Sequence, residues 1–327
     1  MTVAVAGIHA GFMTLEHTMP LVVRPDGGVE LAAWARDNRE WIDTTLLEHG
    51  AILFRGFGVD AEPAFERVSR EVCGPLLDYV YRSTPRTAVG THVYTATEYR
   101  ADASIPMHSE NAFQRAWPMR IAFCCVQPAA SGGETPLART AAVTSRLDAD
   151  IVRTFAARGV MYVRNYGHGI DLSWETAFQT SSKAEVEAYC RQHDIEWEWR
   201  PNDRLRTRQV CQGVARHPAT GQELWFNQAH LFHVSSLDAD ERDALLELFD
   251  EADLPRNAYF GDGAPLDEAM LRGVRAAYDA ERLVFPWEKG DVLLADNLLV
   301  AHGRMPYGGA RRVLVAMGRL FEPARPS

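Results

Sequence analysis

The chain has 327 residues, 46% hydrophobic, 10% aromatic and 24% charged, a composition that excludes disordered, collagen-like and disulfide-scaffold chains. Its 44 acidic side chains outnumber its 34 lysines and arginines for a formal net charge of −10, the wrong sign for a general nucleic-acid or anionic-membrane binder. The stretch Met1–Met19 has no basic region ahead of an apolar run and is interrupted by His9, Glu16 and His17; with no segment apolar enough to span a membrane, a soluble cytoplasmic protein is expected. The five cysteines (Cys73, Cys124, Cys125, Cys190 and Cys211) are odd in number and lack a C-x-x-C pair, so they read as reduced thiols.

In chain order, Leu31, Trp34, Trp41, Ile42 and Leu46 fall near helical spacing between Val29 and His49, with Gly50 placed to stop the helix. Ala51–Phe54 reads as a strand, and a second helix is predicted over Ala61–Cys73. Ile121–Val126 is a short apolar run of buried-strand type, as are Met161–Val163, Glu223–Phe226, Val292–Ala295 and Arg312–Met317. Further helices are predicted after Ser182, where Glu185 has capping-box spacing, over Asp238–Glu251, and over Leu266–Arg282 following Pro265. Helices and strands do not alternate regularly, which argues against a doubly wound parallel sheet and for a mainly β sandwich or barrel with flanking helices. There is no internal repeat or low-complexity linker, so residues 1–327 are read as one domain.

Met107-His108-Ser109-Glu110 follows Pro106 in a stretch that could be extended, which would put His108 and Glu110 on one face of a strand. His302, in Asp296-Asn297-Leu298-Leu299-Val300-Ala301-His302-Gly303-Arg304, could meet them after folding. Two imidazoles and a carboxylate on one face leave coordination positions open, the set used by non-haem Fe(II) oxygenases. H-x-E pairs are common by chance, so the neighbouring residues matter. Ten positions on is Arg312, whose planar fork matches a carboxylate. Ser131-Gly132-Gly133-Glu134-Thr135-Pro136 is a turn leading to a hydroxyl donor. Arg311 adjoins Arg312, and strand alternation would send it to the opposite face.

These segments, together with Gly50-Ala51-Ile52-Leu53-Phe54-Arg55-Gly56-Phe57, Trp117-Pro118, Val126-Gln127-Pro128-Ala129, Trp225-Phe226-Asn227-Gln228 and Gly290-Asp291, resemble the taurine dioxygenase/clavaminate synthase superfamily in order and spacing from about residue 50 to 320. The chain looks most similar to the branch acting on amino acids or amino-acid-derived intermediates in natural-product biosynthesis. The resemblance implies a double-stranded β-helix, or jelly roll, with Fe(II), 2-oxoglutarate and O2 as reaction partners. It implies His108, Glu110 and His302 as iron ligands, and Thr135 and Arg312 as 2-oxoglutarate contacts, with Arg311 as the fallback. The carboxylate is Glu110 where many members have Asp. The position of taurine dioxygenase's sulfonate arginine corresponds to Ala316, which makes a taurine-like substrate doubtful.

The resemblance thus implies a dioxygenase that hydroxylates an unactivated C–H bond of a small amino-acid-derived substrate, free or tethered to a carrier protein, or that uses the same groups for desaturation or cyclisation. A zinc-dependent hydrolase and a non-catalytic jelly-roll binding protein are the alternatives. Asn111 and Asn227 are candidate substrate contacts. His230 and His233, three apart on a helical turn, could bind metal but are more simply hydrogen-bonded core histidines.

Overall fold

A computed structural model describes residues 3–5, 7–13, 18–84, 86–97 and 99–323; Glu16 and His17 lie outside them. The strand Trp117–Gln127 is the spine of an eight-stranded sheet. Val292–Asp296 pairs along one edge of it, with Phe123 opposite Leu293, and Arg312–Phe321 along the other, with Phe123 opposite Val315. All described pairs in this sheet are antiparallel except Leu21–Pro25 with Ala51–Phe54.

Period-two alternation divides these strands between two cores. Ile121, Phe123, Cys125, Leu293, Val313, Val315 and Met317 point into one hydrophobic cluster. Ala122, Cys124, Val292, Leu294, Leu314 and Ala316 point into another, closed by the helices Leu31–Asp37, Arg39–His49 and Glu62–Cys73. Both faces are therefore apolar, which is why the sequence shows continuous runs there and no alternation. A short three-stranded sheet of Ile105–His108, Val300–Arg304 and Leu137–Arg139 supplies Leu137 and Val300 to the first cluster. A four-stranded sheet, with Val160–Tyr166 between Arg204–Cys211 and Arg256–Phe260, and Glu196–Arg200 outermost, packs beside it. The architecture is a double-stranded β-helix with flanking helices.

The expected helix Val29–His49 is two helices. Asn38 leaves the helical region at φ −122°, ψ 32°, and its side-chain amide donates to the Trp34 carbonyl at 2.8 Å, the local competition that makes Asn a helix interrupter. Gly50 ends the second helix in the left-handed region at φ 77°, where a Cβ would also lie 2.6 Å from Val300 Cγ2. The expected helix Asp238–Glu251 runs Ala239–Leu248, with Asp238 capping the Glu241 N–H. All five cysteines are buried and unpaired. No described helix is long and apolar enough to cross a membrane.

Arg55 and Asp291 join two of the sequence motifs. The guanidinium makes a two-pronged contact with the fully buried Asp291 carboxylate at 2.9 and 2.6 Å. It ties the end of Ala51–Phe54 to the start of Val292–Asp296.

Candidate metal centre

The antiparallel register of Ile105–His108 and Val300–Arg304 sets His302 directly opposite His108, with ring centroids 4.6 Å apart. The strand ends at His108. Glu110 is delivered by the following turn, where Asn111 takes the left-handed φ of 56°, and not by i, i+2 alternation as the sequence suggested. The result is still convergent: one ligand atom from each of His108, Glu110 and His302 lies within 4.8 Å of the others.

The turn is held by buried amides. Asn297, fully buried, accepts the Glu110 N–H at 2.7 Å and donates to the carbonyls of Glu110 at 2.9 Å and Pro118 at 2.8 Å. Gln228 donates to the Ser109 carbonyl at 2.7 Å. Asp296 accepts the N–H groups of Leu298 and Leu299 through one oxygen and contacts His217 through the other, shaping the turn that leads into His302. Asn297 and Gln228 are site residues that sequence reasoning missed; polar residues inside otherwise apolar runs were the available signal.

The donor chemistry fits a divalent cation. His108 Nδ1 lies 2.8 Å from the Pro106 carbonyl, so it carries the proton and Nε2 keeps its lone pair. His302 Nδ1 is buried with no hydrogen-bond partner among the described residues. Burial pushes both imidazoles below the ordinary histidine range, into the neutral, ligating form. Two neutral imidazoles and one carboxylate match non-haem iron and leave positions open. By contrast, His230 Nε2 sits 3.0 Å from the Met107 carbonyl and stacks on Tyr278, and His233 Nδ1 accepts the Ser235 N–H. Both are structural.

A cleft beside the triad is lined by Arg86, Thr97, Phe123, Thr135, Arg304 and Arg311. Thr135 is buried, its hydroxyl accepting from Trp287 Nε1 at 3.2 Å. Arg311 donates Nε to the Gly133 carbonyl at 2.8 Å; burial and neighbouring Arg304 pull its guanidinium down to about 10. Arg312 is exposed and does not line the cleft. The pairing register shifts between Arg312 and Val313, so the alternation of Val313, Val315 and Met317 does not carry back to the two arginines; it is Arg311 that reaches the cleft wall. The expectation of Arg312 as the inward arginine is therefore corrected to Arg311. Counting from Arg311, the position four further on is Val315, fully buried and apolar, in place of Ala316.

Asn227 is also corrected. It is fully buried, but its amide donates to Gly213 and its carbonyl oxygen accepts the Ala229 N–H, and it does not line the cleft. Asn111 keeps a buried side-chain oxygen without a partner among the described residues. Arg86, absent from the sequence reading, places Nη2 2.9 Å from Glu110 Oε2.

The fold matches that of the PvcB protein from Pseudomonas aeruginosa with a TM-score of 0.56 at 16% identity, over 96% of this chain and 92% of that one. The chain is 45% identical to dapdiamide synthesis protein DdaC of Enterobacter agglomerans over 88% of its length and 86% of the relative's. It is 31% identical to a clavaminate synthase-like protein of Arabidopsis thaliana, over 86% and 85% respectively. Residues 16–317 match the family described as taurine catabolism dioxygenase TauD, TfdA family. With the ligand set, the fold and the whole-length match agreeing, the chain belongs to the TauD/TfdA dioxygenase family.

Proposed function

We propose that the protein is an Fe(II)/2-oxoglutarate-dependent dioxygenase that hydroxylates an unactivated C–H bond of an amino acid or amino-acid-derived intermediate, free or carrier-tethered, in natural-product biosynthesis. The observation that carries this reading is the convergence of His108, Glu110 and His302 beside a cleft holding a buried hydroxyl and an inward guanidinium. His108, Glu110 and His302 would hold the iron. The bound metal supplies oxygen activation coupled to decarboxylation of 2-oxoglutarate.

The chain's own residues bind, orient and exclude water. Arg311 pairs with the remote carboxylate of 2-oxoglutarate, its Nε fixed by the Gly133 carbonyl at the cleft wall. The Thr135 hydroxyl, already accepting from Trp287, has its own proton free to donate to the same carboxylate. Phe123 packs 5.0 Å from the His302 ring and gives the centre an apolar wall. A zinc-dependent hydrolase would leave Arg311 and Thr135 without a task. The amino-acid substrate class is supported by the likeness to a dapdiamide synthesis protein, by PvcB, described as an Fe, alpha-ketoglutarate dependent oxygenase from an isonitrile synthetic pathway, and by apolar Val315 where a sulfonate-binding arginine is required.

The test is anaerobic addition of Fe(II) and 2-oxoglutarate, which should give a weak visible metal-to-ligand charge-transfer band. Oxygen is then admitted with a panel of free amino acids, carrier-bound aminoacyl groups and sulfonates while succinate is measured. Absence of the band sinks the cosubstrate assignment; stimulation by taurine alone sinks the substrate class.

A further inference from the structure

Arg86 is buried, with 6% of its surface exposed, yet only part of its guanidinium is used. Nη2 binds Glu110 Oε2 at 2.9 Å, Nε lies 3.4 Å from the Thr97 hydroxyl, and the cation sits 4.5 Å from the Tyr79 ring. Nη1 is buried with no hydrogen-bond partner among the described residues. A guanidinium nitrogen left unpaired in the interior is costly, and such groups persist where a ligand completes them. This one borders the cleft beside the metal ligands.

The charge of the cleft says what that ligand is. Its described lining includes three guanidiniums and no carboxylate. Arg304 is committed to the carbonyls of Tyr99, Arg100 and Ala103, and Arg311 lies by the Gly133 turn with Thr135. A divalent ion outweighs Glu110 by one charge and dianionic 2-oxoglutarate removes two, so the loaded site remains positive. We propose that Arg86 docks a carboxylate of the primary substrate: one arm holds the metal-ligating Glu110, the other takes the substrate anion, so a single side chain fixes the distance between the two.

The proposal rests on the oxygenase reading, and its test separates the two. Anaerobic protein is saturated with Fe(II) and 2-oxoglutarate until the charge-transfer band is full, which tests the oxygenase reading alone. Pairs of L-amino acids and N-acyl amino acids with their carboxamides are then titrated against that band. Wild type should prefer at least one carboxylate over its amide. Arg86→Gln should weaken the carboxylate about ten- to hundredfold, the scale of one charged hydrogen bond, and leave the amide within about threefold. Arg86→Lys, which keeps the charge but loses the fork, should recover part of the preference. Circular dichroism and a Co(II) titration of both variants separate misfolding and a loosened Glu110 from loss of docking; if Arg86→Gln fails to fold, Arg86→Lys carries the comparison. A wild type that prefers no carboxylate, including one that binds none of the panel, overturns the proposal. So does a folded variant that keeps the preference, or one whose 2-oxoglutarate midpoint shifts as far as that of Arg311→Ala.

Discussion

Replacing Arg311 by alanine tests which of two adjacent arginines serves the cosubstrate. Arg311 lines the cleft and is mostly withdrawn from water, with its Nε on Gly133, whereas Arg312 is exposed. Truncating Arg311 would leave a desolvated carboxylate unpaired, a loss of roughly 2–5 kcal/mol for one partner of a buried charged pair. At about 1.4 kcal/mol per tenfold, the 2-oxoglutarate midpoint of the anaerobic Fe(II) protein should rise by tens- to thousands-fold. Arg311→Lys should recover only part of this, because an ammonium lacks the two-pronged geometry. Arg312→Ala, losing only solvated charge, should stay within about twofold, the effect of well under 1 kcal/mol expected for exposed charges. The charge-transfer band gives the midpoint directly. An unchanged midpoint for Arg311→Ala, or an equal shift for Arg312→Ala, refutes the assignment of Arg311 to the cosubstrate.

His108→Ala, Glu110→Ala and His302→Ala should each abolish iron-dependent succinate production in a folded protein; wild-type-like Fe(II) affinity in any of them, measured by calorimetry, removes that residue from the ligand set. Asn297→Ala strands the buried Glu110 N–H, so unfolding free energy should drop by at least the roughly 1–3 kcal/mol of an unsatisfied group, and Co(II) affinity by about tenfold or more; chemical denaturation and metal titration check the two separately. Arg55→Ala removes the partner of the fully buried Asp291 carboxylate, a loss of about 3–5 kcal/mol, readable in urea midpoints. Because Glu110 occupies a coordination position that chloride would need, mass spectrometry of product formed in chloride buffer should show hydroxylation and no halogen.

The parts of the site that were legible in the sequence are those where residue type alone limits the chemistry. His108, Glu110 and His302 stood out because few side chains hold a metal, and their flanking segments came in a recognisable order. How Glu110 reaches the centre was not legible, since a turn at Asn111 and an extended strand place the same letters within similar reach. Arg311 and Arg312 were indistinguishable by type, and the register shift between Arg312 and Val313 breaks the alternation that a sequence argument would have to extend to them; only the folded cleft tells them apart. Asn227 looked like a polar residue aimed at a cavity but serves the backbone of Gly213 and Ala229. Arg86 gave no signal because its meaning depends on an acceptor it reaches and a nitrogen it leaves unmet, both products of tertiary structure.

Facing histidines on neighbouring strands would give a bound ion a mechanical role. His108 and His302 come from distant parts of the chain and meet as direct cross-strand partners, while Asn297 latches the Glu110 turn from 187 positions away. In the unfolded chain no such site exists, so loading the metal and closing the barrel are one linked equilibrium. Free metal at a hundred times its dissociation constant would add about 2.7 kcal/mol to the folded state. A bound ion would then work as a rivet through two strands: a substitution far from any ligand that lets these strands part would register first as a weakened metal site.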